Sequence, residues 1–364
     1  MSRWAFVDDQ HEPSAVFADE LSDAEAAFKV EVLAPAEARK LLLSPDADFN
    51  GALIDVDLSD VPGEHGSGPG LAQDIRVNQE NGRLRSFPLI RFSSRAKVLE
   101  NIGADSSSDD LFDLKIDKEF AGRNIPAVRQ KLMGCSEIYR CVGACPTLEP
   151  KALADFLGLT VEALESWAHP EFIARAETAR SDKPHIAAGL IMRFLSQPGP
   201  LIKESLLAVR LGVDRRSKGW TALRESLTPV RYAGKGRDYF DLWWARGVED
   251  WWLDCEGAET PLSSTTIEQR IEQLAAKHPD LKPLEMPPES RGVRPWRLCT
   301  LSLEEEEPTL VPVDPAFGIR VASRGNIAPW VDPSYAALGI ALLHRNDSRL
   351  SKADFERHAP LWQS

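Results

Sequence analysis

Acidic residues end two apolar stretches near the start of the chain, where together they could hold a metal ion. Asp8 and Asp9 follow the stretch that begins at Trp4, and Asp55 lies in the apolar stretch of residues 52–58. If both stretches are parallel strands of an open α/β sheet, their carboxyl ends meet at one edge, near the point where the strand order reverses. A hard cation such as Mg2+ prefers carboxylate oxygens and keeps several waters, which leaves room for a phosphoryl group. The spacing therefore predicts a metal site suited to phosphoryl chemistry.

Two later stretches would complete such a site. Residues 88–94 have the pattern of a short buried strand that ends in hydroxyls, Ser93 among them, and residues 111–118 that of a further strand with Lys115 and Lys118. A carboxylate that attacks an anionic phosphoryl donor needs charge neutralisation and positioning more than it needs a base. A lysine and a bound cation would supply that neutralisation.

This order of residues resembles the receiver domain of bacterial response regulators, over about a third of the chain. The resemblance implies a doubly wound α/β fold with a five-stranded parallel sheet over residues 1–122. It also implies that Asp55 accepts a phosphoryl group from a histidine kinase or another phosphodonor. In this reading Asp8, Asp9 and Asp55 hold Mg2+, Ser93 contacts the phosphoryl oxygens, and a lysine neutralises them.

Two lysines compete for that last role. Lys118 alternates with Leu114 and Ile116, the inward-facing residues of the predicted strand, whereas Lys115 belongs to the wetter face. Lys115, however, follows Phe112 by three residues, which is similar to the aromatic-to-lysine spacing of the family. Alternation favours Lys118, and Lys115 stays open as the alternative.

The same residues are also compatible with a receiver domain that no longer accepts a phosphoryl group. Asp57 shares a strand face with Asp55 and so competes with it. The segment 59–70 is longer and richer in Gly and Pro than the loop that follows the phosphoacceptor in the family. Neither lysine is followed by the proline that the family usually has there. The alternative hypothesis is therefore a degenerate receiver that docks protein partners, as a scaffold within a multiprotein complex, without accepting phosphate.

Length and composition limit which classes of protein the chain can belong to. With 364 residues, 43% of them hydrophobic and 27% charged, the chain suits two or three folded domains. We expect a helical output region over residues 123–255 and a small α+β region over 256–364. No apolar run approaches a membrane span and the start lacks the pattern of a signal peptide, so a cytoplasmic protein without a membrane partner is expected. An odd number of cysteines, five, argues against a disulfide framework.

Two stretches have the spacing of helix-turn-helix elements. In residues 148–167, Gly158 would make the turn, but Glu162 and Glu165 on the second helix would repel a phosphate backbone. Residues 206–220 repeat the spacing, with Gly212 at the turn, within the basic segment 181–246. The basic side chains that would contact nucleic acid are Arg215, Arg216, Lys218 and Arg224. Both stretches equally suit helical hairpins that only pack against each other.

Further elements are predicted from periodicity. Tryptophan pairs in residues 239–253 suit one helix with a buried aromatic face, residues 261–277 suit a helix, and residues 279–295 a loop. Strands are predicted at 297–303 and 309–313, and helices at 333–343 and 352–361.

The leading hypothesis is a cytoplasmic signalling protein in which phosphorylation of Asp55 controls a helical output region that binds protein partners. The chain lacks the common catalytic motifs, so an enzymatic output is not predicted. The alternatives are the docking scaffold and a DNA-binding regulator that uses the basic residues of the second helix-turn-helix stretch.

Overall fold

The computed structural model describes residues 2–58, 67–93, 111–180, 183–254, 256–305, 307–323 and 327–362. Its strands are β1 (Ser2–Val7), β2 (Phe28–Leu33), β3 (Gly51–Ile54), β4 (Leu89–Ser93), β5 (Leu114–Asp117), β6 (Leu201–Lys203), β7 (Leu242–Trp244), β8 (Arg297–Leu298), β9 (Pro312–Val313), β10 (Ile319–Val321) and β11 (Ser334–Ala336).

The helices of these residues are α1 (His11–Leu21), α2 (Pro35–Leu42), α3 (Gly68–Glu80), α4 (Lys118–Arg123), α5 (Ile125–Ala144), α6 (Pro150–Leu157), α7 (Val161–Trp167), α8 (Pro170–Arg180), α9 (Pro184–Ser196), α10 (Glu204–Leu211), α11 (Trp220–Ser226), α12 (Ala245–Asp254), α13 (Ile267–Ala275), α14 (Thr300–Leu303), α15 (Leu338–Leu343) and α16 (Lys352–Trp362).

The chain forms two compact units, each made of separate stretches. The first contains Met1–Leu164, Pro170–Ser196 and Ala233–Phe240, and the second contains Glu165–His169, Gln197–Tyr232 and Asp241–Ser364. The division into regions 1–122, 123–255 and 256–364 stays a prediction about which parts fold independently.

The first unit contains the predicted five-stranded parallel sheet, in the order β2-β1-β3-β4-β5. The strand order reverses between β1 and β3, the point at which sheets of this class bind ligands, at the carboxyl ends of the strands. Strand β3 is buried throughout, as expected for a parallel strand covered on both faces. The predicted fold class is confirmed: the sheet with its flanking helices is followed by a helical region and small C-terminal strands.

The last strand of the sheet is shorter than predicted. It ends at Asp117, whose carboxylate accepts the backbone N–H of Phe120 at 2.8 Å and so begins helix α4 at Lys118. The prediction of a strand over 111–118 was wrong at both ends. Lys118 is consequently the first residue of a helix.

Helix α5 packs against the sheet through Trp4. The Trp4 indole donates to Ser136 Oγ at 3.0 Å, and a Cβ on the neighbouring residue Gly51 would lie only 2.5 Å from the indole ring. Glycine in β3 is therefore what lets the largest side chain of β1 lie flat beneath the helix. Near the start of α5, Arg129 donates to the carbonyl of Leu21, which ends α1.

A buried polar cluster joins four elements of the first unit, and we call it the Asp113 cluster. Asp113, just before β5, accepts from Arg76 of α3 at 2.9 Å, from the Tyr139 hydroxyl of α5 at 2.7 Å and from the backbone N–H of Leu89 at 2.8 Å. Arg76 also donates to Gln79 at 2.8 Å. Because the cluster adjoins the starts of β4 and β5, it holds α3 and α5 at the edge opposite the carboxyl ends of the strands.

His185 of α9 lies beside this cluster, and its surroundings lower the pKa of its imidazole. Burial and the neighbouring Arg76 lower the pKa of His185 to about 4, whereas Asp113 and Glu80 act in the opposite direction. The folded protein therefore keeps this imidazole neutral at pH values where the unfolded chain protonates it. The contribution to stability is present above pH 6.5 and is lost as pH falls from there toward 4.

We expect the wild type to lose about 2 kcal/mol more unfolding free energy between pH 7 and pH 5 than His185→Leu does. Urea unfolding of both proteins at the two pH values measures this difference. Equal losses would show that His185 is not held neutral in the folded state.

Of the two predicted helix-turn-helix stretches, only the first contains two helices joined by a tight turn. Helix α6 ends at Gly158, whose φ of +73° is the left-handed conformation that glycine favours, and α7 begins at Val161. In the second stretch, residues 213–219 form turns, and the next helix begins only at Trp220. The prediction of a basic helix directly after Gly212 was wrong, because the Ser217 hydroxyl closes a turn onto Asp214 O at 2.5 Å.

The tryptophans of the second unit lie mainly in its core. Trp243 and Trp244 lie on strand β7, which pairs with β6 in antiparallel register, and α12 begins only at Ala245, so the single predicted helix over 239–253 was wrong at its start. Trp243, Trp244 and Trp252 are completely buried, which agrees with a packing role.

The C-terminal predictions hold in part. Helix α13 begins at Ile267 after a capping box of Thr266 and Gln269. Strands β8 and β9 pair in antiparallel register, but Thr300–Leu303 is helical where a strand was predicted, and Ser334–Ala336 is a strand where a helix was predicted. Among the described helices, none combines the length and the apolar character needed to cross a bilayer.

Candidate functional site

Three carboxylates meet at the carboxyl edge of the parallel sheet. Asp8 and Asp9 follow β1, and Asp55 follows β3, the neighbouring strand, with Val7 opposite Ile54 in the register. Each of the three offers an oxygen within 4.8 Å of the others. Asp8 and Asp55 are each only 1% exposed, whereas Asp9 is half-buried. The structure thus brings together the three acids that the sequence predicted to converge.

Lys118 holds two of these acids. Its Nζ lies 2.7 Å from Asp8 Oδ2 and 2.7 Å from Asp55 Oδ2. Burial disfavours the ammonium, but the hydrogen bonds and charges of Asp55 and Asp8 outweigh it, and the pKa of Lys118 is raised. The side chain of Lys115 is exposed on β5. Of the two candidate lysines, Lys118 is the one that reaches the acids.

Backbone hydrogen bonds orient both buried carboxylates. Asp8 Oδ1 accepts the N–H of Gln10 at 2.8 Å, and Asp55 Oδ1 accepts the N–H of Val56 at 2.7 Å. In each carboxylate the other oxygen, Oδ2, is the one that contacts Lys118. Both oxygens of each of these two carboxylates therefore have hydrogen-bond partners.

Asp57 does not belong to this group of acids. It pairs instead with Ser67 in an isolated β-bridge, and the N–H of Gly68 donates to Val56 O at 2.9 Å. These contacts bring the start of α3 against the strand end. A Cβ on Gly68 would lie 1.8 Å from the backbone oxygen of Asp55, so only glycine fits there. Sequence reasoning missed Gly68, since nothing local distinguishes it from the other glycines of its loop.

Ser93 is buried at the end of β4, opposite Asp117 in the register with β5. Since β4 lies between β3 and β5, its hydroxyl belongs to the same edge of the sheet as Asp55 and Lys118. Part of the long loop noted after Asp55, residues 59–66, lies outside the described residues, as do residues 94–110.

The donor atoms of the site suit a cation. Lys118 contacts two of the three carboxylates, and the third, Asp9, offers an oxygen within 4.8 Å of both. All three acids offer carboxylate oxygens, the ligands that Mg2+ and Ca2+ prefer. The donor set therefore fits a hard divalent cation.

The basic residues singled out for nucleic acid lie in a turn region and on the helix that follows it. Arg215, Arg216 and Lys218 are exposed in the turns after Gly212, and Arg224 lies on α11. Arg216 pairs with Asp214 at 2.8 Å, and Arg224 lies 3.4 Å from Glu204. Neighbouring acids thus compensate two of the four charges.

No protein-family model matches the sequence, and no curated protein matches it. Among solved structures, a chain in the complex of histidine kinase ThkA with response regulator protein TrrA is similar at 18% identity and a TM-score of 0.27, over 36% of this chain and 99% of that one. A response regulator protein from Burkholderia pseudomallei with a phosphorylated aspartic acid, a calcium ion and citrate is similar at 15% identity and a TM-score of 0.23, over 45% of this chain and 97% of that one. An adenylate cyclase from Rhodopirellula baltica is similar at 16% identity and a TM-score of 0.25, over 35% of this chain and 85% of that one.

Proposed function

We propose that the first unit is a receiver that accepts a phosphoryl group on Asp55 and so controls the binding of protein partners by the rest of the chain. The observation that carries the proposal is the convergence of Asp8, Asp9, Asp55 and Lys118 at the crevice between β1 and β3. Lys118 contacts two buried carboxylates at once, and the acids lie where ligands bind in this class of sheet.

The chemistry follows from the contacts. An oxygen of Asp55 attacks the phosphorus of the donor, and a new P–O bond forms as the bond to the donor's leaving group breaks. Lys118, already 2.7 Å from Asp55 Oδ2, neutralises negative charge on the phosphoryl oxygens, and the Ser93 hydroxyl contributes a hydrogen bond. A divalent cation such as Mg2+, held by Asp8 and Asp9 with Asp55, would neutralise further charge.

Incubation with Mg2+ and acetyl phosphate tests the proposal. We expect wild-type protein to gain the mass of one phosphoryl group, and Asp55→Asn to gain none, because the amide is not a nucleophile toward phosphorus. Intact-mass spectrometry measures both.

Asp57→Asn is the matched control, since it makes the same chemical change two residues away, outside the group of acids. It should label like the wild type. A wild type that stays unlabelled while a known receiver labels under the same conditions would refute the phosphoacceptor role and leave the docking scaffold as the function to test.

The partners follow from this role. A histidine kinase or another phosphodonor would supply the phosphoryl group, and protein partners would bind the output region. Nucleic acid binding is the weaker candidate, because two of the four basic residues have acidic partners. Binding that survives physiological salt and is lost in Arg215→Ala/Lys218→Ala would favour it.

A further inference from the structure

An eight-residue segment, Ala233–Phe240, belongs to the first unit although the residues on both sides of it belong to the second. We call this segment the strap. Its flanking residues are held together within the second unit: the N–H of Tyr232 donates to Leu242 O at 2.8 Å, and Arg231 pairs with Asp241 at 2.7 Å. The strap is therefore a loop whose two ends lie next to each other.

Within the first unit, the strap lies against the end of α6. The N–H of Lys235 donates to the carbonyl of Phe156 at 2.8 Å. A Cβ on Gly158 would lie 2.5 Å from the backbone carbon of Ala233, so the two backbones are as close as a glycine allows. Gly158 thus has two roles: it ends α6, and its lack of a side chain leaves space for the backbone of the strap.

The strap also lies against α5, and a second glycine makes this contact possible. A Cβ on Gly134 would lie 2.9 Å from the Phe240 ring and 3.0 Å from Tyr239 Cβ. Gly236 of the strap has a φ of +78°, and a Cβ there would lie 3.1 Å from Ile138 of α5. The strap and α5 are therefore closely packed, and a shift of α5 relative to the strap would disturb these contacts.

Helix α5 in turn follows the site directly. Lys118, which holds Asp8 and Asp55, is the first residue of α4, and only Asn124 separates α4 from α5. When a cation or a phosphoryl group changes the partners of Lys118, we expect the first turn of α4, which carries this side chain, to shift with its ammonium. A short helix on a rigid sheet edge passes such a shift to the helix that continues it.

We infer that the strap is a conformational reporter: a change in the ion pairs of Lys118 moves α4 and α5, and the strap loosens its contact with α5. The inference rests on the proposed function for its physiological trigger, a phosphoryl group on Asp55. The strap is covalently continuous with the second unit at both ends. A loosened strap would therefore transmit a change at the site to the remainder of the chain.

Hydrogen exchange on the full-length protein tests this, in wild type and in Lys118→Met. The expected result is exchange about tenfold faster at the amide of Lys235 and its strap neighbours in Lys118→Met. The amides of β2 serve as the internal reference for global opening. Lys40→Met, the same change at an exposed residue of α2, should leave the strap unchanged.

Two glycine variants of α5 provide a matched pair. Gly134→Ala places a methyl group against Phe240, whereas Gly143→Ala, in the same helix, meets no atom within 4 Å. In Gly134→Ala the strap amides should already exchange faster than in the wild type. Adding Lys118→Met to this variant should not accelerate their exchange further. In Gly143→Ala the tenfold response to Lys118→Met should persist.

A parallel measurement with acetyl phosphate and Mg2+ separates this inference from the proposed function. If Asp55 is labelled and strap exchange stays as in unlabelled protein, the reporter role is refuted and the phosphoacceptor role stands. If Asp55 is not labelled but Lys118→Met accelerates the strap, the coupling stands and its trigger is another ligand of the site. Strap exchange that is equal in wild type and Lys118→Met refutes the coupling outright.

Discussion

Replacing Lys118 by Met should destabilise the metal-free protein by about 2 kcal/mol, and Mg2+ should restore most of that loss. The variant leaves Asp8 and Asp55 buried at 1% exposure without the ammonium that bridges them. Removing one partner of a buried ion pair is costly because the remaining charge stays desolvated. The estimate is at the low end because the Lys118 side chain is 27% exposed.

Thermal unfolding of wild type and Lys118→Met, each with and without Mg2+, measures this effect. The rise in Tm with Mg2+ should be larger in the variant, because a cation replaces the missing ammonium there, whereas it competes with Lys118 in the wild type. Lys40→Met is the control and should respond like the wild type. Equal shifts in wild type and Lys118→Met would mean that Mg2+ does not bind beside Asp8 and Asp55.

Replacing Arg76 by Met should have the larger effect on stability, about 3 kcal/mol. The Arg76 side chain is 12% exposed and that of Asp113 is 4% exposed, so the variant leaves a carboxylate in the core with the Tyr139 hydroxyl and one backbone N–H as its hydrogen-bond donors. The Asp113 cluster joins α3, β4, β5 and α5, and its loss loosens all four elements together.

A surface ion pair of the same chemistry provides the control for this prediction. Arg39 pairs with Asp74 where both side chains are about half exposed, and Arg39→Met should cost less than 1 kcal/mol. Urea unfolding measures both variants. Equal losses in Arg76→Met and Arg39→Met would mean that the Asp113 cluster contributes no more than a surface pair. The double variant Arg76→Met/Asp113→Asn should be more stable than Arg76→Met, because it removes the stranded charge.

The sheet and the acids at its edge were predictable because their signal is local. Apolar runs that end in Asp8 and Asp55 indicate buried parallel strands whether or not their neighbours are known. The choice of Lys118 over Lys115 also came from a local property, the alternation along β5. Its true position, as the first residue of a helix, depends on the cap supplied by Asp117.

Several parts that sequence reasoning missed depend on distant partners. Arg76 and Asp113 are 37 residues apart, and Trp4 and Ser136 are 132 residues apart. Nothing near Gly134 indicates that Phe240 will lie against it. The start of the predicted helix over 239–253 failed for the same reason: Trp243 and Trp244 pair with β6, a strand whose residues lie far back along the chain. Tertiary pairing overrode the local helical pattern.

The strap also has a consequence for the order in which the protein is made. A ribosome delivers the chain from its N-terminus, so the strands of the parallel sheet emerge early. The first unit, however, receives its last residues only with Phe240. Until then, the Gly134 side of α5 lacks the ring that covers it. During synthesis the nascent first unit therefore persists in an unfinished form, with an incompletely covered α5, while residues 197–232 of the second unit emerge.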